Sequence, residues 1–155
     1  MTYYAFELIA CLSKETRERV LVEASRSENP NIREEVAKNA YTPSEILTKL
    51  AKDKCWEVRC AVADNHNTTA DVLSRLAKEE KSSIRTNVAR NLNTPPKVLA
   101  KLAKDKDKNV RLGVAVNPET PTELLVELKK DEDAFVSSYA GMGLNKGDNS
   151  WDSCY

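Results

Sequence analysis

Chemistry in this chain would have to come from few residue types. Of 155 residues, four are Cys (Cys11, Cys55, Cys60 and Cys154) and one is His, His66. Cys55 and Cys60 stand in a C-x₄-C spacing with His66 six residues on, so this trio is where a small enzyme, redox or metal site would sit. Zinc sites draw on about four Cys or His ligands in closely spaced pairs. No second pair accompanies this one, so no metal and no cofactor is expected. A single His removes most His-based dyads, and no G-x-S-x-G, H-E-x-x-H or Walker pattern occurs. Cys11 replaces Ala in an apolar pattern and reads as a small buried residue. Carboxylates are plentiful but interleave with Lys, the ordinary decoration of exposed helices. No catalytic residue is assigned, and the expectation is a protein that is not an enzyme.

Charge recognition is the second available chemistry. Lys+Arg and Asp+Glu both number 24, so no global field selects nucleic acid or an acidic membrane. The charges are nevertheless uneven. Residues 81–106 carry seven cations against Asp105 alone, a net of +6. Lys81, Arg90, Lys97, Lys101 and Lys104 are therefore candidate nucleic-acid-binding residues. Lys97, Lys101 and Lys104 recur at i, i+4 and i+7 on one helical face, whereas Arg90 belongs to a different helix. No aromatic platform for base stacking accompanies them.

These side chains are positioned by an internal repeat. Residues 29–54, 55–80, 81–106 and 107–132 align without gaps as four 26-residue units. Ile32, Val58, Ile84 and Val110 share a column that Val136 continues. Arg33, Arg59, Arg85 and Arg111 form the next, and Val36, Val62, Val88 and Val114 follow, each with an Ala after it. Asn39, Asn65, Asn91 and Asn117 come three residues later, then Thr42, Thr68, Thr94 and Thr120. Leu47, Leu73, Leu99 and Leu125, with Leu50, Leu76, Leu102 and Leu128, close the unit. An Arg or Asn column is a possible ligand stripe, but Arg beside a recurring acid and Asn at a helix end read as framework.

Each unit reads as two helices. Ile46, Leu47, Leu50 and Ala51 recur at i, i+1, i+4 and i+5, an amphipathic stripe that predicts a helix A over 43–53. Thr42 is its expected N-cap and Pro43 its first residue, with Glu45 completing a capping box. Val58, Val62 and Ala63 predict a shorter helix B over 57–64, stopped by an Asn able to adopt a left-handed conformation. Period-2 alternation is absent, so no β-sheet is expected. Residues 4–28 read as an N-terminal capping unit, with Phe6, Ala10 and Cys11 in helix B columns, and 133–140 as a final half-repeat. Residues 1–140 form one domain, and 141–155 are expected to be a flexible tail.

Composition agrees. Apolar residues at 41% and charged residues at 31% fit a globular chain. Residues 1–140 hold one Gly, Gly113, which argues against phosphate loops and hairpin-rich folds. No apolar run approaches the roughly 18 residues of a membrane span. The amino terminus lacks a basic segment before its apolar stretch and a small-residue cleavage site. A cytoplasmic protein with no membrane partner is the expectation.

The unit V-R-x-x-V-A-x-N-x-x-T-P-x-x-L-L-x-x-L-A-K-D resembles the leucine-rich repeat variant family of short helical repeats, over roughly residues 6–140. The resemblance implies a right-handed superhelix of paired helices, an all-α solenoid. The stretch L-A-K-D-x-x-x-x-V-R is also similar to HEAT repeats. That similarity implies pairing of Asp53 with Arg59, Glu79 with Arg85 and Asp105 with Arg111, with the ladder fading at Arg33 and Asp131. Some family members carry an iron–sulfur cluster on a Cys-rich amino-terminal segment. Cys11 stands alone there, so the cluster is not carried over.

In such an array sameness builds the core and variation builds the recognition surface. The second unit places Trp56, Cys60 and His66 where its neighbours differ, and Trp is enriched at binding hot spots. The fourth unit places Leu112, Gly113 and Val116 where polar residues otherwise stand, an apolar strip to be covered by the tail, with Trp151 and Tyr155, or by another chain. The expected function is a scaffold for a protein or peptide partner, bound through Trp56, Cys60, His66, Arg90, Leu112 and Val116.

Overall fold

The computed structural model describes residues 12–145. The chain is all-helical, with ten α-helices and no strand among the described residues. They are α1 (Lys14–Ala24), α2 (Pro30–Lys38), α3 (Ser44–Leu50), α4 (Trp56–Asp64), α5 (Ala70–Leu76), α6 (Ser82–Arg90), α7 (Pro96–Leu102), α8 (Lys108–Val116), α9 (Thr122–Leu128) and α10 (Ala134–Asn145). Odd-numbered helices carry the helix A columns and even-numbered helices the helix B columns. None is long and apolar enough to cross a membrane.

The apolar columns fill the interior. Val36, Val62, Val88, Val114 and Val136 have no exposed surface, nor have Leu47, Leu73 and Leu99. The even-numbered helices pack directly on one another in order, α2 on α4, α4 on α6, α6 on α8 and α8 on α10. The odd-numbered helices lie against their even-numbered neighbours and approach one another less closely. One continuous core results, lying between the two rows.

Helix lengths differ from the sequence expectation. Helix A spans seven residues (Ser44–Leu50) rather than 43–53, and helix B nine (Trp56–Asp64) rather than 57–64. The cause is local. After Leu50, the Lys52 N–H donates to Lys49 O at 3.1 Å and the Asp53 N–H to Leu50 O at 3.0 Å. These i→i−3 bonds tighten the chain into a turn that ends the α-helix.

The caps are a correction as well. Pro43, not Thr42, is the N-cap of α3, and no side chain caps that helix. Thr42, Thr68, Thr94 and Thr120 instead donate to the carbonyls of Val36, Val62, Val88 and Val114, each at 2.6 Å. The Thr column therefore closes the end of the preceding helix B. Asn39, Asn65, Asn91 and Asn117 do stop helix B, but with extended backbone (ψ 121 to 130°), and no non-Gly residue has positive φ among the described residues. Asn91 shows how. Its Oδ1 accepts the Asn93 N–H at 2.9 Å, while Nδ2 donates to Ala63 O at 2.9 Å and Asn65 O at 3.0 Å in the preceding unit. Asn65 and Asn117 repeat the arrangement. Three buried Asn side chains thus satisfy helix-end carbonyls across unit boundaries, where water cannot reach.

At the carboxyl end, α10 continues through Asn145, past residue 140 where the sequence reading begins a flexible tail. Leu144 packs against the core and Gly143 sits close to Leu125, where a Cβ would lie 3.1 Å from Leu125 Cδ1. These contacts carry the helix onward. Residues 146–155, with Trp151, Cys154 and Tyr155, and residues 1–11, with Phe6, Ala10 and Cys11, lie outside the described residues.

Candidate functional site

The Arg column does not present a phosphate stripe. Arg85 donates through Nε and Nη2 to the two carboxylate oxygens of Asp105, at 2.7 and 2.9 Å, and through Nη1 to Glu79 O and Glu80 O, both at 2.8 Å. Arg33 engages Asp53, Arg59 engages Glu79 and Arg111 engages Asp131 in the same fork. The partner is therefore the acid twenty residues after each Arg, not the one six residues before it, as the HEAT similarity implies. The earlier acid contributes its main-chain carbonyl: Asp53 O receives Arg59 Nη1 at 2.7 Å, and Asp105 O receives Arg111 Nη1 at 2.9 Å. The ladder also does not fade at its ends, because Arg33 and Arg111 are both fully paired. Each guanidinium clamps the turn entering its unit to the turn leaving it. The Arg33 hydrogen bonds hold the Asp53 carboxyl below the usual range, and Arg111 does the same for Asp131. At Asp105 burial opposes ionisation, yet the Arg85 hydrogen bonds and the Asp107 N–H together outweigh it and the shift is downward.

The second-unit residues separate in space. Trp56 opens α4 and is 37% exposed, with the Lys81 ammonium 5.2 Å from its ring centroid. That cation–π contact ties Trp56 to the residue preceding α6. Cys60 is half-buried on α4, and Asn87 Nδ2 lies 3.3 Å from its Sγ. Burial pushes its thiol pKa up, and the Asp64, Glu34 and Glu57 carboxylates push the same way against a Ser83 hydrogen bond. Cys55 donates to Glu57 Oε2 at 2.7 Å. Both thiols are free. A thiol held protonated by burial and acidic neighbours, as that of Cys60 is, is a poor nucleophile. Among the described residues no three of His, Cys, Asp and Glu converge to hold a metal ion.

His66 lies elsewhere, at the end of α4, in a shallow cleft with Lys38, Ala40, Ala61, Asp64 and Asn65. This cleft is one step of a recurring surface. Lys38, Asp64, Arg90 and Val116 occupy one column at the carboxyl ends of α2, α4, α6 and α8, which Met142 continues within α10. Ala40, His66, Leu92, Pro118 and Leu144 occupy a second column just beyond it. Along this edge the side chains change from charged on α2 and α4 to apolar on α8 and α10. Leu92 is 49% exposed, Val116 38% and Met142 57%, with Tyr139 and Phe135 also exposed on α10.

Of the six residues singled out for partner binding, His66, Arg90 and Val116 share this edge. Cys60 and Leu112 share the adjoining column, and Trp56 sits at the opposite end of its helix. Leu112 is only half-exposed and packs against the core, and Gly113 is buried against α6. The apolar strip of the fourth unit is therefore narrower than expected, and its larger part comes from α10. Leu92, Tyr139 and Met142 were not foreseen. Continuing the column register past residue 140 would have placed Met142 after Val116.

The five basic candidates of the third unit fall in different places. Lys81 adjoins Trp56, Arg90 ends α6, Lys97 lies in the first turn of α7, and Lys101 and Lys104 lie at its carboxyl end. Lys97, Lys101 and Lys104 are exposed, as is Arg90 on the other row. Compared with known proteins, the chain matches no protein-family model and no curated protein.

Proposed function

We propose that this protein is a non-enzymatic helical-repeat scaffold that docks a protein or peptide partner along the carboxyl-end edge of its even-numbered helices. The reading takes the chain as a right-handed α-solenoid of the leucine-rich repeat variant kind, each 26-residue unit adding one helix pair. The recurrence of one set of Asn, Thr and Arg hydrogen bonds at successive unit boundaries supports that order. The observation that carries the functional reading is the exposure of Leu92, just past the end of α6, with Val116 on α8 and Met142 on α10 along one edge. Clustered exposed apolar side chains mark interaction surfaces. A rigid array presents them without an ordering cost on its own side. Lys38, Asp64 and His66 offer polar contacts further along, so the ligand would be apolar at one end and polar at the other. The trio of Cys55, Cys60 and His66 is a weaker reading, since the Cys60 thiol is held protonated. The free thiols suit a cytoplasmic setting.

Selection from a random-peptide display library tests this. The expected ligands contain bulky apolar residues, bind the full chain, and lose binding to a Leu92→Asp, Val116→Asp, Met142→Asp variant whose helical content and melting temperature are kept. Failure to enrich any ligand, or equal binding by that variant, would refute the scaffold reading.

A further inference from the structure

A second surface lies on the other row. Arg26, Lys52, Lys78, Lys104 and Lys130 stand at strict 26-residue intervals, just after the carboxyl ends of α1, α3, α5, α7 and α9. Lys49, Arg75 and Lys101, in the last turns of α3, α5 and α7, add a second cation at each of the three middle helices. All eight side chains are exposed. Among the described residues none of them makes an ion pair, whereas Lys38 and Lys108 do. Arg26, Lys49 and Lys52 line one shallow depression between α1 and α3, so the two columns meet in space. The Asp53 carboxylate within that depression is already taken by Arg33. Glu23 and Glu127 replace the second cation at α1 and α9, which confines the doubled row to the middle of the array.

Cations near a helix carboxyl end offset its dipole. That effect accounts for a charge in the last turn, but it falls off beyond that turn and does not call for a second row past it. Glu127 occupies the last turn of α9 without disrupting it. The even-numbered helices, which pack in contact, set a rise of about 8–10 Å per level. Five cations at successive levels span four such steps and therefore form a row at least about 32–40 Å long. The row has no aromatic member, and of the apolar residues lining the depression between α1 and α3, Ile46 and Leu50 are buried and only Val22 is exposed beside the cations. The row therefore reads mainly charge, which suits a ligand whose regular feature is a charged backbone. A duplex presents one face of its backbone to a straight row only about every 34 Å, whereas a flexible single strand can follow the row throughout.

We propose that this edge holds the phosphodiester backbone of a single-stranded nucleic acid, without reading its bases. The proposal uses the stacked order of the preceding section and not its peptide ligand, so either can fail alone. The test is fluorescence anisotropy of labelled oligodeoxythymidylate with the full chain, over about 50 to 200 mM NaCl. Each phosphate contact on a single strand contributes about −0.7 to the slope of log affinity against log salt. Five contacts predict a slope of about −3.5. Lys52→Glu, Lys78→Glu, Lys104→Glu combined should weaken binding more than tenfold and flatten the slope by about 2. An equal reversal off the edge, Lys14→Glu, Lys38→Glu, Lys108→Glu, should leave the slope unchanged. Circular dichroism checks that both variants fold. No binding at the lowest salt, equal loss in the two variants, or equally tight binding of polyglutamate would overturn the proposal.

Discussion

The Arg85–Asp105 fork makes a quantitative claim about what holds one unit to the next. Arg85→Met keeps the aliphatic volume but removes two bonds to Asp105 and two to main-chain carbonyls. The Asp105 side chain, 11% exposed, then keeps only the Asp107 N–H at 2.9 Å. Breaking such a buried pair from one side costs about 3–5 kcal/mol. Asp105→Asn keeps an acceptor for Asp107 but leaves the guanidinium without a counter-charge, at about 1.5–3 kcal/mol. Because both variants disrupt the same fork, the double variant should fall short of the sum by about 1–3 kcal/mol. The pH dependence adds a second reading. Asp105 is held below its unfolded pKa of about 3.9. A depressed carboxyl stabilises the fold above the unfolded pKa, and that stability is lost as pH falls through the folded pKa. Acid destabilisation should therefore begin below about pH 4 and be shallower in Asp105→Asn, with Asp53 and Asp131 supplying the remainder. Urea unfolding followed by circular dichroism, at pH 7 and down a pH series, measures both. Additivity within about 0.5 kcal/mol, or an unchanged acid limb, would show that the fork does not couple the turns.

Other outcomes follow from the same geometry. Asn91→Ala removes three hydrogen bonds at a site 5% exposed; a loss of about 3 kcal/mol in urea unfolding is expected, and a loss below about 1 would contradict the cross-unit role. Gly113→Ala would put a Cβ 2.9 Å from Ala89 Cβ and 3.2 Å from Thr86 O. Its overpacking, about 1–3 kcal/mol, should outweigh the helix-propensity gain of about 1 kcal/mol, so a raised melting temperature would refute the close approach of α8 to α6. Glu79→Asp shortens the one Glu in the ladder; Arg59 and Glu79 are more exposed than the other pairs, at 18% and 26%. The shorter acid can also accept the main-chain N–H two residues on, as Asp53, Asp105 and Asp131 do. A gain of about 0.5–1.5 kcal/mol is expected in thermal or urea unfolding, and a loss would mean that the longer side chain is needed there.

The sequence by itself determined the helices and the core. A 26-residue period with apolar residues at helical spacing leaves few ways to bury Leu47, Leu73 and Leu99, and all three are fully buried. It also marked Asn and Thr as helix-end residues, because their short polar side chains compete for backbone groups. Which groups they would reach was decided by tertiary structure. Thr42 faces the end of α2 rather than the start of α3 because the turn folds back over Val36, and no local pattern distinguishes the two. Likewise a row of Arg and a row of Asp do not say whether each Arg turns to the acid before it or the one after it. Distance along the chain favours six residues over twenty, but packing of α3 against α2 brings Asp53 to Arg33 and reverses the choice. The candidate surfaces divide in the same way. His66, Arg90 and Val116 were legible as departures from the repeat, whereas their common edge, and the separation of Trp56 from it, depend on which ends of the helices meet. Periodicity fixes what is buried, because burial follows composition; long-range pairing fixes what is brought together, because it is a property of the folded chain.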